Sequence, residues 1–451
     1  MRFRLACPSY LGVRRLPRPL FGDIVRYMGS GCHHHDDGSC PSCPLLSLPY
    51  SEQLAAKTQT AYASLLAAAG DNDFSWLPPV PSPQFGIRNV TKMVVSGSFA
   101  NPVLGLPPKF GDSVDIGVDL TDCPLYLPAI RAAFPALKAF IAEAQLVPYD
   151  LTPAIGRTKP KAAAVRGELK NVFITASPDD ELMVQFVLRS RADEARIRSR
   201  LTSLLAALPN LKVVSLNIHP EHKAVVSGLL DIILTPQTSL PFRINDFTLY
   251  VGPGSFFQTN TVVAADLYQL ARRWLADIIG SGFVWQGPSH QLPLAANRAT
   301  NLIVWDLFCG IGGFAVALAA PNRQITGVEI AAPAIENALL AKANMAARSD
   351  VESQLAAQGL NFICADAFQF AASENPPDVV VVNPPRRGLG VELAKWLNDS
   401  KARNILYSSC NPVTLGKDIA NMPNYQIVKA QALDMFPGST HLEVLSLLSL
   451  R

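Results

Sequence analysis

Apolar and polar positions alternate along this chain with two different periods, and the period changes near residue 253. Ahead of that point, short runs with β-rich composition (MVVSGSF at 93–99, NVFITAS at 171–177, LMVQFVLRS at 182–190, VVSLNI at 213–218, DFTLYV at 246–251) predict strands. They are interleaved with helical patterns at 130–144 and 194–208. This mixture predicts an α+β domain over 85–252 with an antiparallel sheet. A further helix is predicted over 51–69, with Ser51 as its N-cap, and a proline-rich stretch follows at 77–83.

Beyond 253 a helix at 262–279 and a polar stretch at 280–300 lead into a regular alternation. Strands LIVWDLF (302–308), QITGVEI (324–330), LNFICAD (360–366), PDVVVVN (377–383) and RNILYSS (403–409) are separated by helices starting near Phe314 and Ala334. Such βαβ alternation predicts a parallel, doubly wound sheet over 253–451. The expected organisation is therefore four parts, at 1–29, 30–84, 85–252 and 253–451.

Composition changes this picture little. About half of the 451 residues are apolar, which suffices for a sizeable core. The net charge of +3 permits RNA binding without demanding it. No long apolar run predicts a membrane span. Residues 1–29 are basic and lack the apolar stretch of a secretory signal. They are expected to be a disordered arm, or an extension ahead of a start at Met28. The eight cysteines are Cys7, Cys32, Cys40, Cys43, Cys123, Cys309, Cys364 and Cys410. Their uneven spacing fits a metal site plus isolated thiols better than a disulfide framework, and a reducing cytoplasm is expected. Cys309 and Cys364 read as packed residues.

The chemistry-bearing positions lie mostly at strand ends. WDLFCGIGGF (305–314) is an apolar strand followed by a Gly-rich turn that opens a helix, but it lacks the G-x-G-x-x-G of dinucleotide enzymes. Glu329 ends the next strand, where an acid can accept hydrogen bonds from ribose hydroxyls. Asp366 ends the one after, placed to meet an adenine amine. Acids on successive strands around such a turn point to S-adenosylmethionine rather than NAD. Asn383-Pro384-Pro385 also marks adenine-amine methyltransferases, but Arg386 and Arg387 follow where those have an aromatic residue. Two arginines there suit phosphate contacts or a structural ion pair. Cys410 sits in a polar Ser-Ser-Cys-Asn-Pro turn at a strand end. A thiolate there can add to carbon 6 of uracil and make carbon 5 nucleophilic, and Glu443 is the candidate for removing the carbon 5 proton. Cys32, Cys40 and Cys43, with the distant Cys123, suit zinc or an iron–sulfur cluster on spacing alone. His33, His34 and His35 read as exposed loop residues. Arg88, Lys92, Arg166 and Lys170 are candidate phosphate contacts.

Five ordered segments carry a family resemblance: SFFQTN (255–260), WDLFCGIGGF, VNPPRRG (382–388), YSSCNPVTLGKDI (407–419) and DMFPGSTHLEVL (434–445). Together they resemble the RNA uracil-5-methyltransferases. FGIRNVTKMVVSGS (85–98), DCPLYLPA (122–129), RGELKNVFIT (166–175) and FVLRS (186–190) extend the likeness to the subgroup that acts on uridine 747 of bacterial 23S ribosomal RNA. Segments near 152–164 and 280–300 read as insertions. The resemblance implies a Rossmann-like S-adenosylmethionine methyltransferase domain, an α+β central domain for RNA recognition and an N-terminal iron–sulfur segment. It implies that Gln258, Phe308, Glu329 and Asn383 contact the methyl donor, that Cys410 is the nucleophile and that Glu443 is the base. Many members have Asp where this chain has Asn383; the 23S subgroup shares the Asn. It also implies a [4Fe–4S] cluster on Cys32, Cys40, Cys43 and Cys123. The partner implied is 23S ribosomal RNA, with no membrane and no DNA; the oligomeric state is not implied. The competing readings are a transfer-RNA enzyme, which lacks the cysteine cluster, an adenine-amine methyltransferase, which needs no Cys410, and an RNA-binding protein with a decayed site.

Overall fold

The computed structural model describes residues 30–70, 72–107, 117–150, 166–222, 226–280 and 302–451, and two short strands at Phe283–Val284 and Leu292–Pro293. The expectations for residues 1–29, for the insertion at 152–164 and for most of 280–300 lie outside the described residues.

The larger sheet has eight strands in the order Ser75–Val80, Tyr425–Leu433, Glu443–Leu450, Asn404–Ser409, Val379–Val382, Leu302–Leu307, Arg323–Glu329 and Leu360–Cys364. The last five are mutually parallel. Val379–Val382 is buried at all four positions, as expected of a strand covered on both faces. The expectation of a wholly parallel sheet is corrected at the other end. Glu443–Leu450 runs antiparallel to both of its neighbours. The 434–442 link is shorter than the dozen or so residues that a parallel crossover needs, so the chain must reverse. Ser75–Val80, unforeseen in the proline-rich stretch, pairs in parallel with Tyr425–Leu433 at the sheet edge. Pro78 and Pro79 are tolerated there because an edge strand has one side without a partner.

The second sheet has seven strands, in the order Val118–Asp119, Pro102–Leu106, Val90–Gly97, Leu169–Ala176, Leu182–Leu188, Leu211–Ile218 and Leu230–Ile233. It is antiparallel except where Leu182–Leu188 meets Leu211–Ile218, which pair in parallel. The helix Glu194–Ala207 bridges those two strands, and a helical crossover returns the chain in the same direction. Helix Pro128–Glu143 lays Ile130, Phe134, Leu137 and Ile141 into the core with Val172 and Phe186. The hairpin Leu240–Ile244/Phe247–Val251, expected with this domain, instead buries Phe242, Phe247 and Leu249 in the core of the larger sheet.

The N-terminal helix spans Tyr50–Ala69 with Pro49 at its N-cap, so Ser51 lies inside it and caps nothing. Its buried stripe is Gln53, Lys57, Ala61, Leu65 and Ala69, at a spacing of four. The apolar end of that stripe packs into the core beside Leu415 and Ile419. No helix among the described residues is long and apolar enough to cross a membrane.

Candidate active site and cysteine site

Parallel strands all end at one edge of a sheet, so whatever follows each of them is gathered there. Phe308 follows the first strand of the alternation, Glu329 ends the second and Asp366 lies just past the third. Asn383 and Cys410 follow the remaining two. All five line one cavity of about 840 Å³, together with Gln258, Arg386, His441 and Glu443. That is the roomy end of small-molecule sites, which run roughly 300–1,000 Å³. The antiparallel reversal completes the set. Glu443 pairs with Leu433 and its neighbour Val444 with Ser409, so this strand begins at the edge where the others end.

The Gly-rich turn forms one wall. Gly312 has a φ of +83°, which favours glycine, and a Cβ there would crowd the Phe362 ring at 3.0 Å. Phe308 also adopts a positive φ, 62°, an uncommon conformation for a bulky residue and one that the surrounding packing must hold. Asp306 beneath the turn is fully buried, accepts the Ala315 N–H at 2.8 Å, and burial pushes its carboxyl up to about 7. Glu329 accepts the Gly310 N–H at 3.2 Å and the Ala331 N–H at 2.9 Å, so it braces the turn as well as lining the cavity. One oxygen of Asp366 caps the helix Ala367–Ser373, accepting from Phe368 and Gln369 at 3.0 Å each. Gln258 is buried, and its carbonyl accepts from the Asn89 side chain at 2.8 Å.

On the opposite wall, Cys410 is half-buried and burial raises its thiol pKa. Glu443 raises it further, while Arg386 acts the other way by charge and by hydrogen bonding. Arg386 Nη2 also lies 2.9 and 2.8 Å from the two ring nitrogens of His441. Glu443 is 1% exposed, and burial pushes its carboxyl up to about 7. The Ser408 hydroxyl donates to its Oε1 at 2.5 Å. The arrangement sets a thiol, a guanidinium and a carboxyl able to exchange a proton near neutral pH along one wall of the large cavity.

The four remaining candidates, Cys32, Cys40, Cys43 and Cys123, are all half-buried and line a second, small cavity of about 40 Å³. Burial pushes the Cys43 thiol up to about 11, with the other three cysteines adding to the rise. Ser42, Cys43, Arg88 and Leu125 line both cavities, so the two sites share a wall. Among the described residues, the set of three His, Cys, Asp or Glu donor atoms that converges within 4.8 Å is His33, His34 and Asp122, not the sulfurs. The expectation of three exposed histidines is corrected for His34, and His35 is half-buried. His34 is 7% exposed, with Nε2 2.7 Å from Asp122 Oδ1 and Nδ1 3.3 Å from Ser39 Oγ.

Two other expectations also change. Cys309 is buried, but Cys364 is exposed, because the end of its strand faces outward. Lys170 is 8% exposed and donates to the carbonyls of His219 and Glu221, so it ties a loop rather than meeting solvent. Arg88, Lys92 and Arg166 are exposed. Asp306 is the acid that opens the expected pattern of acids on successive strands; residues not singled out from sequence are His441, Ser408, Lys57 and Asp434. Lys57 had a signal: the four-residue spacing of Gln53, Lys57, Ala61 and Leu65 already puts a lone cation on the buried face.

Comparison with known proteins agrees with this geometry. The sequence model of the tRNA (uracil-5-)-methyltransferase family matches residues 292–451. The 23S rRNA (uracil(747)-C(5))-methyltransferase RlmC of Escherichia coli O157:H7 (strain EC4115 / EHEC) is 42% identical over 422 residues, covering 92% of this chain and 99% of that one. The same enzyme of Escherichia coli O139:H28 (strain E24377A / ETEC) is 41% identical over the same shares. Among solved structures, the Pyrococcus abyssi tRNA (uracil-54, C5)-methyltransferase in complex with S-adenosyl-L-homocysteine has a TM-score of 0.65 and 23% identity. The match covers 90% of this chain and 85% of that one, and it shows a shared α/β methyltransferase fold. With more than 40% identity to its relatives over nearly its whole length, the chain belongs to the RNA uracil-5-methyltransferase family, with the RlmC members.

Proposed function

We propose that this protein transfers a methyl group from S-adenosylmethionine to carbon 5 of one uridine in 23S ribosomal RNA, the position numbered 747 in the names of its relatives. The observation that carries the reading is the convergence of Cys410 and Glu443 on one large cavity whose other wall is the Gly-rich turn. The methyl donor is assigned to the side of Gln258, Phe308, Glu329, Asp366 and Asn383. The flipped-out base is assigned to the side of Cys410; a uracil in structured RNA must leave its stack to be reached.

The Cys410 thiolate, favoured by the Arg386 guanidinium, adds to carbon 6 and pushes the ring electrons toward carbon 5. Carbon 5 takes the methyl group, and S-adenosylhomocysteine departs. Glu443 then removes the carbon 5 proton; the electron pair left behind restores the ring double bond and expels the thiolate. A carboxyl raised to about 7 suits both taking and returning a proton near neutrality. An adenine-amine methyltransferase would leave Cys410 and Glu443 without work.

Cys32, Cys40, Cys43 and Cys123 would hold a [4Fe–4S] cluster, whose contribution there is a cross-link between the N-terminal loop and the central domain. Four thiolates suit the group. All four line one small cavity, at the seam between the N-terminal loop and the central domain. We assign the seven-stranded domain to RNA recognition, with Arg88, Lys92 and Arg166 as phosphate contacts, and the enzyme to the cytoplasm.

The test is transfer of labelled methyl groups to unmodified 23S RNA, followed by mapping. One 5-methyluridine at the expected position supports the reading; label on transfer RNA or on adenine overturns it. For the cluster, Cys40→Ser should lose the brown absorbance seen in anaerobically purified wild type, whereas a colourless wild type with stoichiometric zinc rules the cluster out.

A further inference from the structure

Three acceptors behind the active-site wall converge on one ammonium group. Lys57 is 4% exposed and pairs with Asp434, itself fully buried. It also donates to the carbonyls of Phe436 at 3.2 Å and His441 at 3.3 Å. An ammonium has three donors and no acceptor, so each of its protons has a partner here. The other Asp434 oxygen accepts from the Tyr50 hydroxyl at 2.9 Å, and that hydroxyl accepts the Ser82 N–H at 2.7 Å. On the same helix face Gln53 accepts the Gly438 N–H at 3.0 Å, and the Gly438 carbonyl accepts from Leu45 N–H at 3.0 Å. Tyr50, Gln53 and Lys57 are spaced i, i+3 and i+7, and all three grip the segment 434–441. That segment carries Phe436 and His441 into the cavity and delivers Glu443 two residues later.

A buried ion pair is a poor source of stability, because stripping water from two charges offsets most of their attraction. Its arrangement is the informative part: a cation from the N-terminal helix fixes two backbone carbonyls in the wall that faces the base. We propose that Lys57 is a positioning residue for methyl transfer, holding the 434–443 wall so that His441 and Glu443 stand where the Cys410 adduct needs them. The inference rests on the reaction assigned above. The donor side of the cavity, built from other strand ends, should not sense Lys57.

Three variants test this: Lys57→Met, the double variant Lys57→Met/Asp434→Leu, and Leu65→Ala as a core control on the same helix. Binding of S-adenosylmethionine, kcat, KM for 23S RNA and melting temperature are measured for each. Lys57→Met should bind the donor as wild type does and lose about a hundredfold in kcat, the scale of a 1 Å misplacement. The double variant, with no charge left buried, should regain thermal stability and remain slow. Leu65→Ala should melt earlier yet keep its kcat. A double variant with wild-type kcat, or Lys57→Met that loses melting temperature alone, overturns the proposal. Wild type is assayed alongside, so a wrong reaction assignment shows there and a wrong positioning role only in the variants.

Discussion

The two sheets of this protein are built from similar residues and do different work. Leu169–Ala176 and Leu182–Leu188 in the seven-stranded sheet are buried at every position, as are Val379–Val382 and Asn404–Ser409 in the eight-stranded one. The difference lies in direction. In the larger sheet five parallel strands deliver Phe308, Glu329, Asp366, Asn383 and Cys410 to one edge, and a single reversal adds Glu443. In the smaller sheet mostly antiparallel neighbours send successive connections to opposite edges. Its share of the large cavity is the flank at Ile87, Arg88 and Leu125. Strand direction, more than composition, decides where chemistry collects.

The comparison is broken most severely by Cys410→Ala, which should reduce methyl transfer to background while S-adenosylmethionine binding, followed by calorimetry, persists. Turnover surviving in that variant would remove the nucleophile. Glu443→Gln comes next. Loss of a general base costs about 10²–10⁴-fold, and here the covalent RNA adduct should accumulate on denaturing gels. The same carboxyl gives a smaller, graded effect with pH. Its proton is held up to about pH 7, so kcat should fall about tenfold per unit below that point. The stability consequence has the opposite sense. A carboxyl raised in the folded state binds its proton more tightly than the unfolded chain does. Stability is therefore lost as pH rises from about 4.5 to about 7, on the order of 3 kcal/mol for this buried group. Glu443→Gln should show a shallower fall across that window in denaturant titrations, the remainder coming from Asp306, and be more stable than wild type at pH 8. Last, Phe186→Ala in the smaller sheet should cost about 3–5 kcal/mol of that domain's stability and leave the kcat of the folded enzyme unchanged. A large drop in kcat there would mean that the smaller sheet shapes the chemistry directly.

The strand ends were legible in the sequence because each combines an apolar run with a polar or Gly-rich turn. The reversal at 434–442 was not, since EVLSLLSL has the same apolar pattern whichever way it runs; only the short link distinguishes the two. Ser75–Val80 was hidden by its prolines, which read as loop and serve as edge strand. Cys410 and Glu443 were singled out by type and motif. Ser408 was not, because its contact with Glu443 spans 35 residues of sequence, and His441 was hidden in the same way, 55 residues from the Arg386 that it meets. Asp434 and Lys57 meet across most of the chain, a contact that no local period encodes.

The central claim, covalent attack by Cys410 on a uracil ring, is tested most directly with 23S RNA carrying 5-fluorouridine at the target position. Fluorine leaves no carbon 5 proton to remove, so methyl transfer should be followed by an adduct that cannot resolve. Mass spectrometry of the digested complex should find the nucleotide on the peptide containing Cys410, and only when S-adenosylmethionine is present if the methylated adduct is the trapped form. Absence of any protein–RNA adduct, or its attachment at another residue, would contradict the account.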